Sequence, residues 1–320
     1  MNGNPPEGFA VRSATVDDAG AIAELINEVT VAEIGMPWTT ADEVHLRLTA
    51  PDGDPALPDV VLADDDGAVA GFLEHVVTPE PPQVQLLVFV PARLWSRGLS
   101  AWLLEHGEAS ARAAFRSGEG VARASRFTGN EPAGRLFAAL GYAYARTFWV
   151  MRLELDAAPP APRGPADVAI RTFEADRDAA DTHAALVEAF ADHWGGGFPP
   201  FDEWRHEEIE GAGADFDGSL WFVAEDGDQI VGAALCRATS PRAEGTAQVL
   251  DLGVRRPWRR RGIALALLTT AFAELHRRGI PRVELTVDAD SPTGATRLYE
   301  RAGMREAFSW EVWEKSLGRG

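Results

Sequence analysis

The chain is almost without lysine and cysteine. Lys315 is the only lysine and Cys236 the only cysteine among its 320 residues. A single cysteine excludes an intrachain disulfide framework and any cysteine-rich metal site, and no metal is expected. No apolar run reaches the length of a membrane span. The opening residues, Met1 to Glu7, have neither the basic start nor the apolar middle of a secretory signal, so a cytoplasmic location is the expectation. Positive charge is scarce: 30 Lys and Arg stand against 49 Asp and Glu, a net charge of −19. That balance argues against nucleic acid or an anionic membrane as partner and favours cationic partners such as amines. At this length, with 46% hydrophobic residues, the chain has room for two ordinary domains.

Against this acidic background, five arginines (Arg255, Arg256, Arg259, Arg260 and Arg261) crowd between a predicted strand ending at Val254 and a predicted helix over 265–278. A helix start already carries unpaired N–H groups and the positive end of the dipole. Arginines there work against the helix unless an anion sits in the turn. Gly262 and Ala264 let the backbone come close to such an anion, and arginines suit a pyrophosphate as outer clamps; the bland alternative is a solvated basic loop. The spacing Arg259-x-x-Gly262-x-Ala264 resembles the acyl-CoA signature of the GCN5-related N-acetyltransferase (GNAT) superfamily. A second strand, Val283 to Val287, and the block Asp288 to Met304, with Leu298-Tyr299 and Gly303-Met304, resemble that family's next conserved block in order and separation.

The chain also resembles itself. A proline-rich spacer, 157–167, separates two flanks that match in order. Val11-Arg12-Ser13 answers Ile170-Arg171-Thr172, and each is followed by an acidic helix start. Val60 to Gly67 answers Leu220 to Gly227, each a strand running into a hairpin turn. Val84 to Val90 answers Val249 to Val254, and Arg135 to Tyr142 answers Arg297 to Met304. Each half reads as strand, helix or helices, three strands, helix, strand, helix, strand. That is an α/β chain (α+β mixed sheet) with helices on both faces: two tandem GNAT-like domains, 1–156 and 168–320. Aligning Gly98 with Gly262 sets Trp95, Ser96 and Arg97 against Arg259, Arg260 and Arg261, and Phe137 against Tyr299. The first copy is therefore expected to be degenerate and catalytically silent, and the second to be the working domain.

The resemblance assigns roles to most of the single residues, and the sequence itself offers Asp251. The turn, with N–H groups of Arg261, Gly262, Ile263 and Ala264 and side chains of Arg256, Arg259 and Arg260, holds the pyrophosphate of acetyl-CoA. The main chain at Leu252 and Val254 pairs with pantetheine as an added strand. Tyr299 is the general acid for the departing thiolate, with a buried core aromatic as the plain alternative. Ser291 contacts pantetheine or simply caps a helix. Asp251, an ionisable group in an apolar strand, is the candidate base, since desolvation raises a carboxyl; a salt bridge to the arginines or a water chain would replace it. His193 and Trp194 border the acceptor pocket, or His193 merely answers a helix dipole. Glu203, Trp204 and His206 are softer candidates, and Cys236 reads as a buried strand residue. The expected reaction is direct attack by the amine of a small molecule on the thioester of acetyl-CoA. A protein or peptide amine, and a non-catalytic acyl-CoA-binding scaffold, remain as alternatives. The chain is expected as a monomer or homodimer.

Overall fold

The computed structural model describes residues 3–49, 57–78, 82–115, 119–191, 193–194, 198–210, 216–240, 242–291 and 294–318. The first half runs β1 (Phe9–Ser13), α1 (Ala19–Ile34), α2 (Ala41–Leu48), β2 (Val60–Asp64), β3 (Val69–Thr78), β4 (Gln83–Phe89), α3 (Leu99–Ala114), β5 (Gly120–Phe127), α4 (Glu131–Ala139) and β6 (Ala143–Glu154). The second half repeats that order with β7 (Ala169–Thr172), α5 (Ala175–Phe190), α6 (Phe201–Arg205), β8 (Phe222–Asp226), β9 (Gln229–Arg237), β10 (Thr246–Val254), α7 (Ile263–Arg277), β11 (Arg282–Asp288), α8 (Ala295–Arg301) and β12 (Arg305–Leu317).

Contacts divide the chain into two units that do not follow these halves. One holds Met1–Phe148 together with Phe308–Gly320; the other holds Trp149–Ala307. Most of β12 thus belongs to the first unit, and the end of β6 to the second. The proline-rich stretch 157–167 lies inside the second unit, where Gly164 comes close to Ala266 on α7. Sequence similarity follows chain order and carries no sign of this.

In the first unit the strands lie in the order β1-β2-β3-β4-β5-β12. β4 and β5 are parallel over Gln83↔Val121 to Leu86↔Ala124, and β12 runs antiparallel to β5 from Trp310↔Phe127 to Leu317↔Gly120. Successive residues on a strand face opposite sides, so each strand feeds two cores. Val61 and Phe72 pack with Ile22 and Ile26 of α1, while Leu62 and Leu73 pack with Leu103 and Leu104 of α3. The second unit has the order β6-β11-β10-β9-β8-β7. There Val223 and Ala233 pack with Leu186 of α5 and Trp204 of α6, while Ala224 and Ala234 pack with Leu267 and Leu268 of α7.

Both halves begin with the same brace. Arg12 of β1 grips Asp18 with both terminal nitrogens at 2.6 Å, and Asp18 also accepts the backbone N–H of Thr15 at 2.8 Å. Arg171 of β7 grips Asp178 at 2.6 and 2.9 Å, and Asp178 accepts the N–H of Glu174 at 2.8 Å. A short acidic residue at a helix start satisfies orphan donors and meets the positive dipole end. Here it also ties the helix to the first strand.

Candidate active site

In the second unit β10 and β11 part along their length. β10 and β11 are parallel over Thr246↔Arg282 to Gln248↔Glu284. Beyond that register β10 continues to Val254 and β11 to Asp288. At the same point β10 carries a bulge against β9, between Val249 and Asp251. A bulge places one extra residue on a strand and re-aims the side chains around it. Val249 lies in the core under α7, and Leu250 packs with the core under α5 and α6. Asp251 stands opposite Leu235, a residue of that second core. Leu252 and Val254 then return to the α7 side, so Asp251 and Leu252 face opposite ways. The equivalent ladder of the first unit has no such irregularity: β4 pairs β3 in unbroken register from Phe72↔Phe89 to Thr78↔Gln83.

The arginine turn follows β10. Residues Arg256–Trp258 make one 3-10 turn, Arg259 is extended (φ −63°, ψ 157°), Arg260 has φ 64° and Gly262 φ 87°. Arg260 is the only non-glycine at positive φ among the described residues. An arginine in the left-handed region costs roughly 1–2 kcal/mol, a strain of the kind that gathers at functional sites. The first bond of the α7 ladder is Ala266 N–H to Gly262 C=O at 3.0 Å. The N–H groups of Ile263, Ala264 and Leu265 therefore precede the ladder and point out of the helix start. A Cβ at Gly262 would meet nothing within 4 Å, which leaves open space over the turn.

The arginines divide their work. Arg259 donates from Nε to Val254 C=O and from Nη2 to Ala189 C=O, both at 3.0 Å, and so ties β10 to the end of α5. Arg255 donates to Ile230 C=O at 3.0 Å and to Glu188 at 3.1 Å, and Glu188 also accepts the backbone N–H of Arg256 at 3.1 Å. Arg261 pairs with Asp167 at 2.6 Å. Arg256 and Arg260 are exposed. Arg259 is thus a brace of the turn, and the first unit shows why. There Trp95 Nε1 donates to Val90 C=O at 2.9 Å, the same bond from the aligned residue to the aligned carbonyl. Glu188 shares no local motif with the turn and could not be picked out from sequence.

Tyr299 of α8 is buried. Burial pushes its phenol well above the usual tyrosine value, and the charge of Asp251 pushes it further. Asp251 keeps some exposure to solvent. Desolvation all the same raises its carboxyl to about 7; Glu208 adds to the rise and Arg237 opposes it. No hydrogen bond or ion pair holds the Asp251 carboxylate among the described residues, so the expected alternative of a salt bridge to the turn is not what it does. In the first unit Leu87 occupies the position of Asp251 and Phe137 that of Tyr299.

The remaining candidates scatter. Ser291 does not cap α8: that helix starts at Ala295 with Gly294 as its cap, and Ser291 lies in the preceding turn, its N–H bonded to Asp288 C=O at 3.1 Å. His193 is exposed just past α5, its ring edge-on to Phe190 with centroids 4.4 Å apart; Trp194 is half-buried. Residues 192 and 195–197 of that loop lie outside the described residues. Trp204 is a core residue, while Glu203 and His206 are exposed. Cys236 is fully buried, its thiol raised by burial to about 12. In the first unit a cavity of about 210 Å³ sits at the corresponding place, lined by Val88, Val90, Gly98, Asn130 and Phe137 among others. Its turn, however, stays helical from Ala92 to Arg97, without the reversal seen at Arg259 and Arg260.

Comparison with known proteins meets this geometry. The family model described as the acetyltransferase (GNAT) family matches residues 183–304. A mycothiol acetyltransferase of Thermobispora bispora is 32% identical over 297 residues, covering 91% of this chain and 93% of the relative. One from Geodermatophilus obscurus is 29% identical over 312 residues, covering 94% and 96%. Among solved structures, a GCN5-related N-acetyltransferase from Sphaerobacter thermophilus superimposes with a TM-score of 0.85 at 32% identity, over 99% of this chain and 98% of that one. A tandem GNAT protein from the clavulanic acid biosynthesis pathway shares the fold, with a TM-score of 0.73 at 18% identity over 98% and 99%.

Proposed function

The chain belongs to the GCN5-related N-acetyltransferase family, and from that premise we propose that its second half, residues 168–320, transfers the acetyl group of acetyl-CoA to the amine of a small molecule. The open edge of β10 leading into a strained, braced, N–H-rich turn carries this reading. N–H groups over 261–264 face the pyrophosphate, with Arg256, Arg260 and Arg261 around them. Arg259 keeps the turn in shape. The Leu252 to Val254 main chain lines up pantetheine and offers an N–H to the thioester oxygen. Ser291 borders pantetheine, and His193 and Trp194 border the acceptor.

The amine nitrogen attacks the thioester carbon, and the C–S bond breaks as the amide forms. One proton leaves the nitrogen for Asp251, and one reaches the departing sulfur from Tyr299. The two groups work in sequence. Burial is the larger cause that holds the phenol of Tyr299 in its neutral form, and the charge of Asp251 adds to it; once Asp251 has taken the amine's proton that added part is released, and the phenol becomes a better acid when the thiolate appears. The first half, 1–156, is a degenerate copy without catalysis, since Leu87 and Phe137 offer neither group. The relatives' name, mycothiol acetyltransferase, supports a small acceptor.

The test is calorimetric titration of acetyl-CoA into the intact protein and into Gly262→Glu, followed by a thiol-release screen of small and peptide amines with deacetylated mycothiol among them. One site, lost in the variant, with turnover on a small amine is expected. Unchanged affinity in Gly262→Glu would remove the turn from the binding site, and turnover on peptide amines alone would overturn the acceptor class.

A further inference from the structure

Asp251 shares its side of the sheet with a cation. It stands opposite Leu235 across the β9–β10 ladder, and Arg237 lies two residues further along β9 on the same face. Such diagonal neighbours have Cβ atoms within about 7–8 Å, well within the reach of an arginine toward a carboxylate. The guanidinium does not make that pair. Its Nη2 donates instead to Glu208 Oε2 at 2.8 Å. Glu208 belongs to the His206–Glu210 turn that continues α6, and both partners are half-buried.

We propose that Glu208 is a positioning residue for the transfer: by holding Arg237 in an ion pair, it keeps that cation off the Asp251 carboxylate and leaves the carboxylate open to the acceptor's amine. This rests on the reading of Asp251 as the proton acceptor. An arginine closing directly on a carboxylate lowers its pKa by about 1–3 units, which would make Asp251 a poor base at neutral pH. With Glu208 as the preferred partner, Arg237 is neutralised and Asp251 stays near 7. Glu208 and Arg237 are the charged groups that reach Asp251, and Tyr299 of α8 answers it in turn. From α5, Leu186, Ala189 and Phe190 lie against the neighbouring Gly253. The three charges together leave one net negative charge facing the acceptor, which draws in an ammonium; that ion gives a first proton to solvent, and the neutral amine then attacks and gives the second to Asp251.

The experiment is a carbon NMR titration of the full chain labelled at aspartate carboxyls, with Asp251→Asn identifying the resonance, alongside acetyl-transfer rates with the amine found in the screen. In Glu208→Gln the Asp251 midpoint should fall by about one pH unit, because a negative charge is lost and Arg237 is freed. Glu208→Asp should hold it near the native value, and Arg237→Met should raise it. A midpoint unmoved in Glu208→Gln overturns the proposal. Should that variant fail to fold, Arg237→Met decides alone: a rise supports the proposal and no change overturns it. Full transfer activity in Asp251→Asn would instead remove the underlying reading, whatever the midpoints do.

Discussion

Tyr299 and Asp251 are placed by different physics, and sequence reveals them unequally. Tyr299 is legible because its neighbours Leu298, Gly303 and Met304 form a local pattern and Phe137 marks its absence in the other copy. Asp251 is legible as a charge in an apolar run. Its direction is not, because the bulge that turns it toward α5 and α6 depends on pairing with β9. Glu208 is hidden altogether among several acids without a pattern, and only the fold brings it to Arg237. Removing the phenolic hydroxyl with Tyr299→Phe leaves the packing around α8 intact. It is expected to lower kcat on the order of 10²-fold with KM for acetyl-CoA nearly unchanged; steady-state kinetics that show an equal loss in both would place Tyr299 in binding instead.

At the level of elements, the order of strands and helices was readable in both halves, since alternation and turn residues are local signals. The division of labour in the arginine turn was not. A row of arginines looks like a row of phosphate clamps, yet Arg259 bonds carbonyls of β10 and α5, and Arg261 pairs with Asp167. Comparing the two units separates the roles. Trp95 keeps the bond to the strand carbonyl and drops the one to the helix end, so its turn is held without being opened. Trp95→Ala should therefore lower the melting temperature of the first unit while leaving acetyl transfer within about twofold, as expected of a site outside the chemistry. Calorimetry and a rate measurement on the same sample check it, and loss of activity in a folded protein would give the first copy a part in catalysis.

For the molecule as a whole, acid and truncation probe what holds each unit. Asp18 is held near 2 by its hydrogen bonds from Arg12. Desolvation pushes Asp178 up, but Arg171 and Arg177 overcome it and bring it well below the usual carboxylate range. Both contribute stability that is present above the unfolded carboxylate range and lost as pH falls through the folded values. Melting temperature should thus drop steeply below about pH 4, and Asp18→Asn should flatten that drop for the first unit while costing stability at neutral pH. Truncation after Ala307 should raise amide exchange in β5, which loses its partner from Phe127 to Gly120, before it affects β8 and β9. The same pairing imposes an order in time. The hydroxyls of Thr128 and Ser309 bond at 2.9 Å although 181 residues separate them. At about 5–20 residues per second on a ribosome, the first unit emerges early but must wait roughly 10–40 s for the strand that closes its sheet. Through that interval β5 is an open edge, a natural place for a chaperone to hold the nascent chain.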